Sequence, residues 1–399
     1  MARVFDLDVT VLGGCGRVGL PLALAFADRG LRVGIYDVSA AAVELVSRGE
    51  LPFPERGAAE VLRAGVADGS LRASVEPALI GESEVVVVVI GTPVDEHLNP
   101  DPDAVARALL AAEDHLRDGQ LIVLRSTVFP GVTSSVERRL AALGIDVDVS
   151  FCPERIAEGQ ALTELYELPQ IVGSRTERAA ERSERLFRTL TDLVVHLSPE
   201  EAELAKLFTN AWRYVKFATA NQFFVMANDF GLDFERIRTA VAFEYPRAAD
   251  MPSAGFAAGP CLLKDTMQLA AFTNNTFVLG HAAMLVNEGL PLYVVSRLEK
   301  RFPLGELTVG VLGMAFKAES DDIRESLAYK LRRILRFRAA DVLCTDPYVT
   351  SDPTLLPLDD VVQRSDLLVI AAPHAVYRQL PLAQPVIDIW GCRGEGTTV

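Results

Sequence analysis

Over roughly the first 200 residues, short β-branched runs alternate with longer stretches rich in Ala, Leu and Arg. The runs at 9–12, 32–36, 84–90, 121–124, 146–151 and 170–173 predict strands, and the stretches at 20–29, 40–49, 101–115 and 132–143 predict helices. Strands that are apolar almost end to end, with helices between them, predict a parallel sheet covered on both faces. From Ser198 the pattern changes. Pro199-Glu200-Glu201 behind a serine N-cap opens one long helix to about Gly231, and helical sequence continues to about Arg301. After Leu304-Gly305 the alternation resumes, with strands at 308–312, 342–345, 367–371 and 386–389 and a helix at 328–338. The order is α/β, then helical, then α/β.

Composition narrows what such a chain can do. With 399 residues, half of them hydrophobic and 23% charged, the chain can bury more than one core, which excludes disorder and fibrous repeats. A formal net charge of −15 would repel nucleic-acid phosphates and anionic membranes, so neither is an expected partner. Five scattered cysteines, Cys15, Cys152, Cys261, Cys344 and Cys392, form no CxxC pair, and no metal site is expected. Their odd number suggests reduced thiols. The opening MARVFDLDVTVLGG runs into a strand without a signal-peptide pattern, and no uninterrupted apolar run approaches membrane-helix length. A cytoplasmic protein is expected.

The first chemical motif is Gly14-x-Gly16-x-x-Gly19, directly after a strand and before a helix. Glycines there permit a tight turn and let a pyrophosphate approach the helix N-terminus, which makes Gly14, Gly16, Arg17, Val18 and Gly19 candidate cofactor residues. Asp37 ends the next strand, where a carboxylate accepts ribose hydroxyls and repels a 2′-phosphate; NAD is the expected cofactor. The fold class that follows is α/β: two Rossmann-like, doubly wound parallel-sheet domains joined by a central helical region. The expected boundaries are 1–197 for the NAD-binding domain, 198–303 for the central helical region, and 304–399 for the second α/β domain.

Further residues stand at strand ends, where ligands of parallel sheets collect: Thr92 in Gly91-Thr92-Pro93, Thr127 in Ser126-Thr127, and Cys152-Pro-Glu-Arg-Ile-Ala-Glu-Gly159. Glu154 and Glu158 share a face if their segment is helical. Lys206 and Asn210 stand one helical turn apart, and a lysine beside an amide can stabilise a developing alkoxide. Cys261 precedes the cation Lys264, which could help hold a thiolate. Taken alone, each has an ordinary structural reading as well: a turn, an acidic first helical turn, a solvated lysine, a buried thiol.

Taken together, GGCGRVGLPLA, GTPVD, STVFPGVT, PERIAEG, ELAKLFTNAWR, CLLKD and GMAFKAESDDIRES resemble the UDP-glucose/GDP-mannose dehydrogenase family over about residues 8 to 395. The resemblance implies NAD-dependent four-electron oxidation of C6 of a UDP-sugar to a carboxylate. It makes Cys261 the nucleophile of a thiohemiacetal and thioester, Lys206 and Asn210 the partners of the C6 oxygen, and Asp265 the residue holding the hydrolytic water. Thr127 would contact that water. Glu154 and Glu158 would line the sugar and nicotinamide end, with Glu154 a candidate base. Lys317 would face the nucleotide sugar, Arg324 the NAD pyrophosphate, and Arg247 the neighbouring subunit's substrate. Arg155, Gly259 and Lys264 join the substrate-binding set, and Thr92, Thr127 and Glu158 the cofactor set. Arg393 is a candidate for an arginine reaching the sugar. A homodimer or higher homo-oligomer through the central helices is implied.

The nucleophile loop reads Ala257-Ala258-Gly259-Pro260-Cys261, where the family usually has Gly-Gly-His-Cys or Gly-Gly-Ser-Cys. PERIAEG resembles the wording of the UDP-N-acetylhexosamine branch, which favours UDP-N-acetylmannosamine or UDP-N-acetylglucosamine, with UDP-glucose as the alternative. Two other classes remain: a two-electron β-hydroxyacid dehydrogenase, which needs no cysteine, and a non-catalytic NAD sensor, which would produce no NADH.

Overall fold

The computed structural model describes residues 5–92, 101, 103–394, 396 and 399. Pro93, Val94 and Asp95 of the GTPVD motif lie outside the described residues. Two compact units divide the chain, Met1–Phe208 and Thr209–Val399.

The first unit runs β1 (Leu7–Leu12), α1 (Gly19–Asp28), β2 (Val33–Tyr36), α2 (Ala40–Ser47), α3 (Ala58–Asp68), β3 (Leu71–Ser74), α4 (Ala78–Gly81), β4 (Ser83–Val88), α5 (Ala104–Leu110), β5 (Leu121–Leu124), α6 (Val132–Ala142), β6 (Asp148–Phe151), α7 (Ala161–Glu167), β7 (Gln170–Ser174), α8 (Glu177–Phe187) and β8 (Val194–Leu197). Its strands form one sheet in the order β3-β2-β1-β4-β5-β6-β7-β8, the doubly wound arrangement extended by two strands. Strand periodicity explains why β4 and β5 are apolar throughout. Val85, Val87, Leu121 and Val123 enter the core on one face, and Val86, Val88, Ile122 and Leu124 enter the core on the other. The sheet is not wholly parallel: β6 and β7 pair antiparallel, Phe151 opposite Gly173.

Helix α9 (Pro199–Asp229) is the long helix expected from Ser198. The second unit continues with α10 (Phe234–Ala242), α11 (Leu262–Phe272), α12 (Val278–Arg301), β9 (Thr308–Leu312), α13 (Leu327–Leu335), β10 (Asp341–Thr345), α14 (Leu358–Arg364), β11 (Leu367–Ile370), α15 (Ala375–Arg378) and β12 (Val386–Asp388). Its parallel sheet has the order β10-β9-β11-β12. The central helices share one core with this sheet: Phe224 of α9 and Leu290, Val294 and Leu298 of α12 pack with Val309, Val311, Leu367 and Val369.

Helix α12 is long and apolar enough, by length and composition, to cross a membrane. One face of it, with Leu290, Val294 and Leu298, is buried in the protein core, while Val278, Leu279, Leu285 and Leu292 are exposed. Buried Asn287 accepts from Asn221 at 2.9 Å and donates to the Tyr214 carbonyl at 3.2 Å, so this polar side chain is satisfied inside the protein core.

Candidate active site

In the first unit the glycine turn has three different physical demands. Gly13 has φ of +78°, and a Cβ on it would stand 1.9 Å from the Val89 carbonyl oxygen. A Cβ on Gly19 would stand 2.5 Å from the Gly13 oxygen, so α1 packs against the turn only without a side chain. Gly16 differs: the nearest protein atom to its absent Cβ is 3.6 Å away. Among the described residues its bareness serves no packing, and it leaves room for a ligand at the start of α1. Asp37 Oδ2 accepts from the Cys15 amide at 2.9 Å, tying the acid at the end of β2 to the same turn. These residues fit a dinucleotide.

The strand-end hydroxyls also meet. Thr92 Oγ1 donates to the Thr127 carbonyl at 2.8 Å, and Ser126 Oγ accepts from the Ile90 amide at 2.7 Å, joining the ends of β4 and β5.

The PERIAEG segment corrects an expectation. Residues 152–160 are loop, so Glu154 and Glu158 do not share a helical face. Glu154 is buried against Arg125, which donates to its Oε2 from Nε at 2.9 Å and Nη2 at 2.6 Å. Its Oε1 accepts the Arg155 and Ile156 amides at 2.7 and 3.0 Å. Glu158 instead pairs with Arg17 beside the glycine turn. The physical reason is that the loop's amides need acceptors. Glu154, Glu164 and Glu55 supply them, Glu55 taking the Gly159 and Ala161 amides at 2.9 Å each. Arg155 donates to the Pro169 carbonyl, and burial holds its guanidinium below the usual value. Arg125 and Glu55 were not among the sequence candidates. Glu203 was also missed: it is buried and holds the N-terminus of α6 through the Gly131 and Thr133 amides at 2.6 and 2.8 Å.

In the second unit Cys261 is the N-cap residue of α11, where the helix dipole favours negative charge. All five cysteines are described, and Cys261 alone is exposed. Burial pushes the other thiols up, Cys15, Cys152 and Cys392 to about 12 and Cys344 to about 11. One turn into α11, buried Asp265 accepts from Asn210 Nδ2 at 2.5 Å through Oδ2. Its Oδ1 is buried without a hydrogen-bond partner among the described residues, although Lys264 Nζ stands 3.3 Å away. That contact is an ion pair lacking hydrogen-bond geometry. Lys206, also buried, lies one turn before Asn210 on α9.

The loop leading to Cys261 is held by residues from three directions. Asn221 accepts the Gly255 amide at 2.9 Å and donates to its carbonyl at 3.0 Å. A Cβ on Gly255 would strike the Trp390 ring at 2.3 Å, and one on Gly259, whose φ is +101°, would strike the Phe316 ring at 2.5 Å. Asn221 is a further residue that the sequence reading passed over.

The remaining candidates are placed as follows. Lys317 Nζ lies 5.7 Å from the Phe316 ring centre, and Arg324 is paired through two nitrogens with Asp322, at 2.6 Å from Nη2. Arg247 is exposed and rests on Tyr245, donating to its hydroxyl at 3.1 Å. Arg393 donates from Nη1 to the Tyr377 and Leu380 carbonyls at 3.0 and 2.9 Å, so it staples backbone rather than projecting to a sugar.

Three matches cover the chain: the UDP-glucose/GDP-mannose dehydrogenase family's NAD binding domain at residues 7–191, its central domain at 200–288 and its UDP binding domain at 310–392. The chain belongs to this family. It is an NAD-dependent oxidoreductase of the nucleotide-sugar dehydrogenases, and the glycine turn and Asp37 lie in the matched NAD-binding domain. A UDP-N-acetyl-D-mannosamine dehydrogenase of Pyrococcus horikoshii is 30% identical, over 94% of this chain and 91% of that one. An NDP-N-acetyl-D-galactosaminuronic acid dehydrogenase of Ralstonia nicotianae is 28% identical over 95% and 94%. The solved structure of a UDP-glucose dehydrogenase from Pyrobaculum islandicum superposes with a TM-score of 0.90 at 28% identity, covering 100% of this chain and 99% of that one.

Proposed function

We propose that this enzyme oxidises the C6 hydroxyl of a UDP-sugar to a carboxylate in two steps, with Cys261 as the covalent trap between them. The observation carrying this reading is an exposed thiol at the N-cap of α11, followed one turn later by buried Asp265, whose Oδ1 accepts no hydrogen bond among the described residues. A bound NAD supplies the hydride acceptor for each oxidation. Gly14, Gly16, Arg17, Val18, Gly19 and Asp37 hold it, with Thr92, Thr127, Glu158 and Arg324 as further contacts.

Loss of a hydride and a proton from the alcohol gives the aldehyde, and the Cys261 thiol adds to C6 to form a thiohemiacetal. Loss of a second hydride and proton gives the thioester. Water then displaces the thiolate, leaving the carboxylate, so one sugar and one water yield two hydrides and three protons. Lys206 stabilises the C6 oxyanion in each step. An amide carries two N–H donors, so the bond from Asn210 to Asp265 commits one of the two, and the other serves the C6 oxygen. Asp265 holds the hydrolytic water through Oδ1, with Thr127 as a second contact. Glu154 acts as scaffold rather than base, because both its oxygens are engaged by Arg125 and loop amides. Arg155, Gly259, Lys264 and Lys317 line the substrate, and Arg247 reaches that of a neighbouring copy.

UDP-N-acetylmannosamine or UDP-N-acetylglucosamine is the substrate, a reading supported by PERIAEG and by the names of the sequence relatives. UDP-glucose is the second reading, favoured by the Pyrobaculum likeness. A homodimer or higher homo-oligomer is supported by exposed Trp212 of α9, Phe230 just after it and Phe243 after α10, 61%, 83% and 72% exposed, and the expected setting is the cytoplasm. NADH release across a panel of UDP- and GDP-sugars tests the proposal. Two NADH per sugar are expected from one of the UDP-sugars; one NADH per sugar would favour the two-electron class, and none on any sugar the sensor.

A further inference from the structure

Outside the Cys261 site, the second unit contains a buried cluster of titratable groups at the carboxyl ends of β9, β10 and β11. Asp346 follows β10. Its Oδ2 accepts the Met314 and Ala315 amides at 2.6 and 2.9 Å, and its Oδ1 accepts the Tyr348 and Val349 amides at 2.8 and 3.1 Å. The side chain of His374, which follows β11, is fully buried, with Nε2 3.1 Å from Asp346 Oδ2 and Nδ1 3.0 Å from the Glu319 amide nitrogen. A backbone N–H can only donate, so Nδ1 is the bare nitrogen and Nε2 carries the hydrogen that Asp346 accepts. One neutral tautomer satisfies both partners.

These contacts grip both ends of the 314–319 loop. Asp346 takes the amides at its start, and His374 takes the amide at its end. Glu319 has φ of +54°, a left-handed conformation that disfavours a residue with a Cβ. Its side chain adds two ties, accepting from the Ala375 amide at 2.8 Å and from the Tyr348 hydroxyl. Glu325, farther along, is also left-handed at +53°. Strained backbone of this kind persists only where its surroundings hold it.

What the held loop does is seat the segment that carries Cys261. Phe316 closes the loop by donating its amide to the Asp322 carbonyl at 2.9 Å, and its ring occupies the space where a Cβ on Gly259 would fall. The Gly259 amide donates to the carbonyl of strained Glu325 at 3.4 Å. Gly259 stands two residues before Cys261.

We propose that His374 is a positioning residue: with Asp346 it clamps the 314–319 loop, and through Phe316 and Gly259 it sets the seat of Cys261. The inference rests on the reading of Cys261 as the reacting group, but it can be tested without turnover. In the full-length protein, the rate of Cys261 alkylation by iodoacetamide, followed by peptide mass spectrometry, reports the seat directly. His374→Gln reproduces the donor to Asp346 and lacks the acceptor at the Nδ1 position, whereas His374→Asn places an oxygen there. The expected result is an alkylation rate changed about fivefold in His374→Gln, with the KM for the UDP-sugar raised about tenfold and that for NAD unchanged, and near-normal values in His374→Asn. Phe316→Ala leaves the histidine intact and is expected to reproduce the alkylation change, which keeps the test available if His374→Gln does not fold. Wild-type alkylation in either His374→Gln or Phe316→Ala overturns the proposal, as does equal impairment of the Asn and Gln variants. If the wild-type protein oxidises no sugar, the functional reading fails while the alkylation comparison still decides the clamp.

Discussion

Asn210 and Asp265 are joined by a 2.5 Å hydrogen bond that satisfies one carboxylate oxygen and leaves the other, Oδ1, buried without a hydrogen-bond partner among the described residues. Lys264 Nζ forms an ion pair with this oxygen at 3.3 Å, but a buried carboxylate oxygen that accepts no hydrogen bond costs free energy, so its position one turn from an exposed thiol is the arrangement expected where a water or substrate completes the shell. Asp265→Asn is expected to lower kcat about 100-fold and to trap thioester, because the water loses its anionic acceptor. Intact-protein mass spectrometry after mixing with UDP-sugar and NAD checks this; a slow variant with no covalent adduct would contradict the assigned step.

Cys261→Ser is expected to abolish carboxylate formation, since an alkoxide adduct at that position cannot pass through a thioester. Cys15→Ser and Cys344→Ser change buried thiols and are expected to keep two NADH per sugar. Product analysis by chromatography distinguishes them. Full activity of Cys261→Ser would transfer the chain to the two-electron class.

The two ends of the glycine turn should respond differently to one methyl group. Gly19→Ala places a Cβ 2.5 Å from a backbone oxygen and is expected to lower Tm by several degrees. Gly16→Ala meets nothing closer than 3.6 Å, so the fold is expected to survive while NAD affinity falls about tenfold or more. Thermal melts beside NAD titrations separate the two effects, and unchanged affinity in Gly16→Ala would remove that residue from the cofactor site.

Asp352 is held down at about 2 against an ordinary 3.8: burial pushes the other way, but hydrogen bonds from Thr354 and Tyr329 and the charge of Arg332 outweigh it. Between these values the unfolded chain binds the extra proton, so this residue's contribution to stability is present above about pH 4 and lost as pH falls towards 2. Asp352→Asn should be less stable than wild type at neutral pH, with the gap closing over that window. Denaturant unfolding at several pH values measures the gap, and a constant difference would refute the linkage.

In the first sheet, the strands read correctly from sequence were the interior ones. β1, β4 and β5 bury both faces and therefore consist of apolar runs that need no context to recognise. The two strands of the first sheet that were missed, β3 and β8, are its edges, where exposed positions such as Arg72 and His196 break the run. The antiparallel β6–β7 pairing was likewise illegible, because strand direction is set by how the intervening loop and α7 pack. His374 stands in none of the sequence motifs, and its partners, Glu319 and Asp346, are distant in sequence.

The sequence by itself determined the order of strand, glycine turn, helix and acid in the NAD-binding domain, the family, and the Cys-x-x-Lys-Asp unit. Each is written in contiguous residues whose local periodicity or turn geometry carries the information. Tertiary structure decided which ionisable groups are committed and which remain available. Glu154 is committed to Arg125 across 29 residues, Asp265 is half satisfied by Asn210 across 55, and of five cysteines Cys261 alone is exposed. Burial and partner choice depend on which distant segments share a core, and no local pattern specifies that.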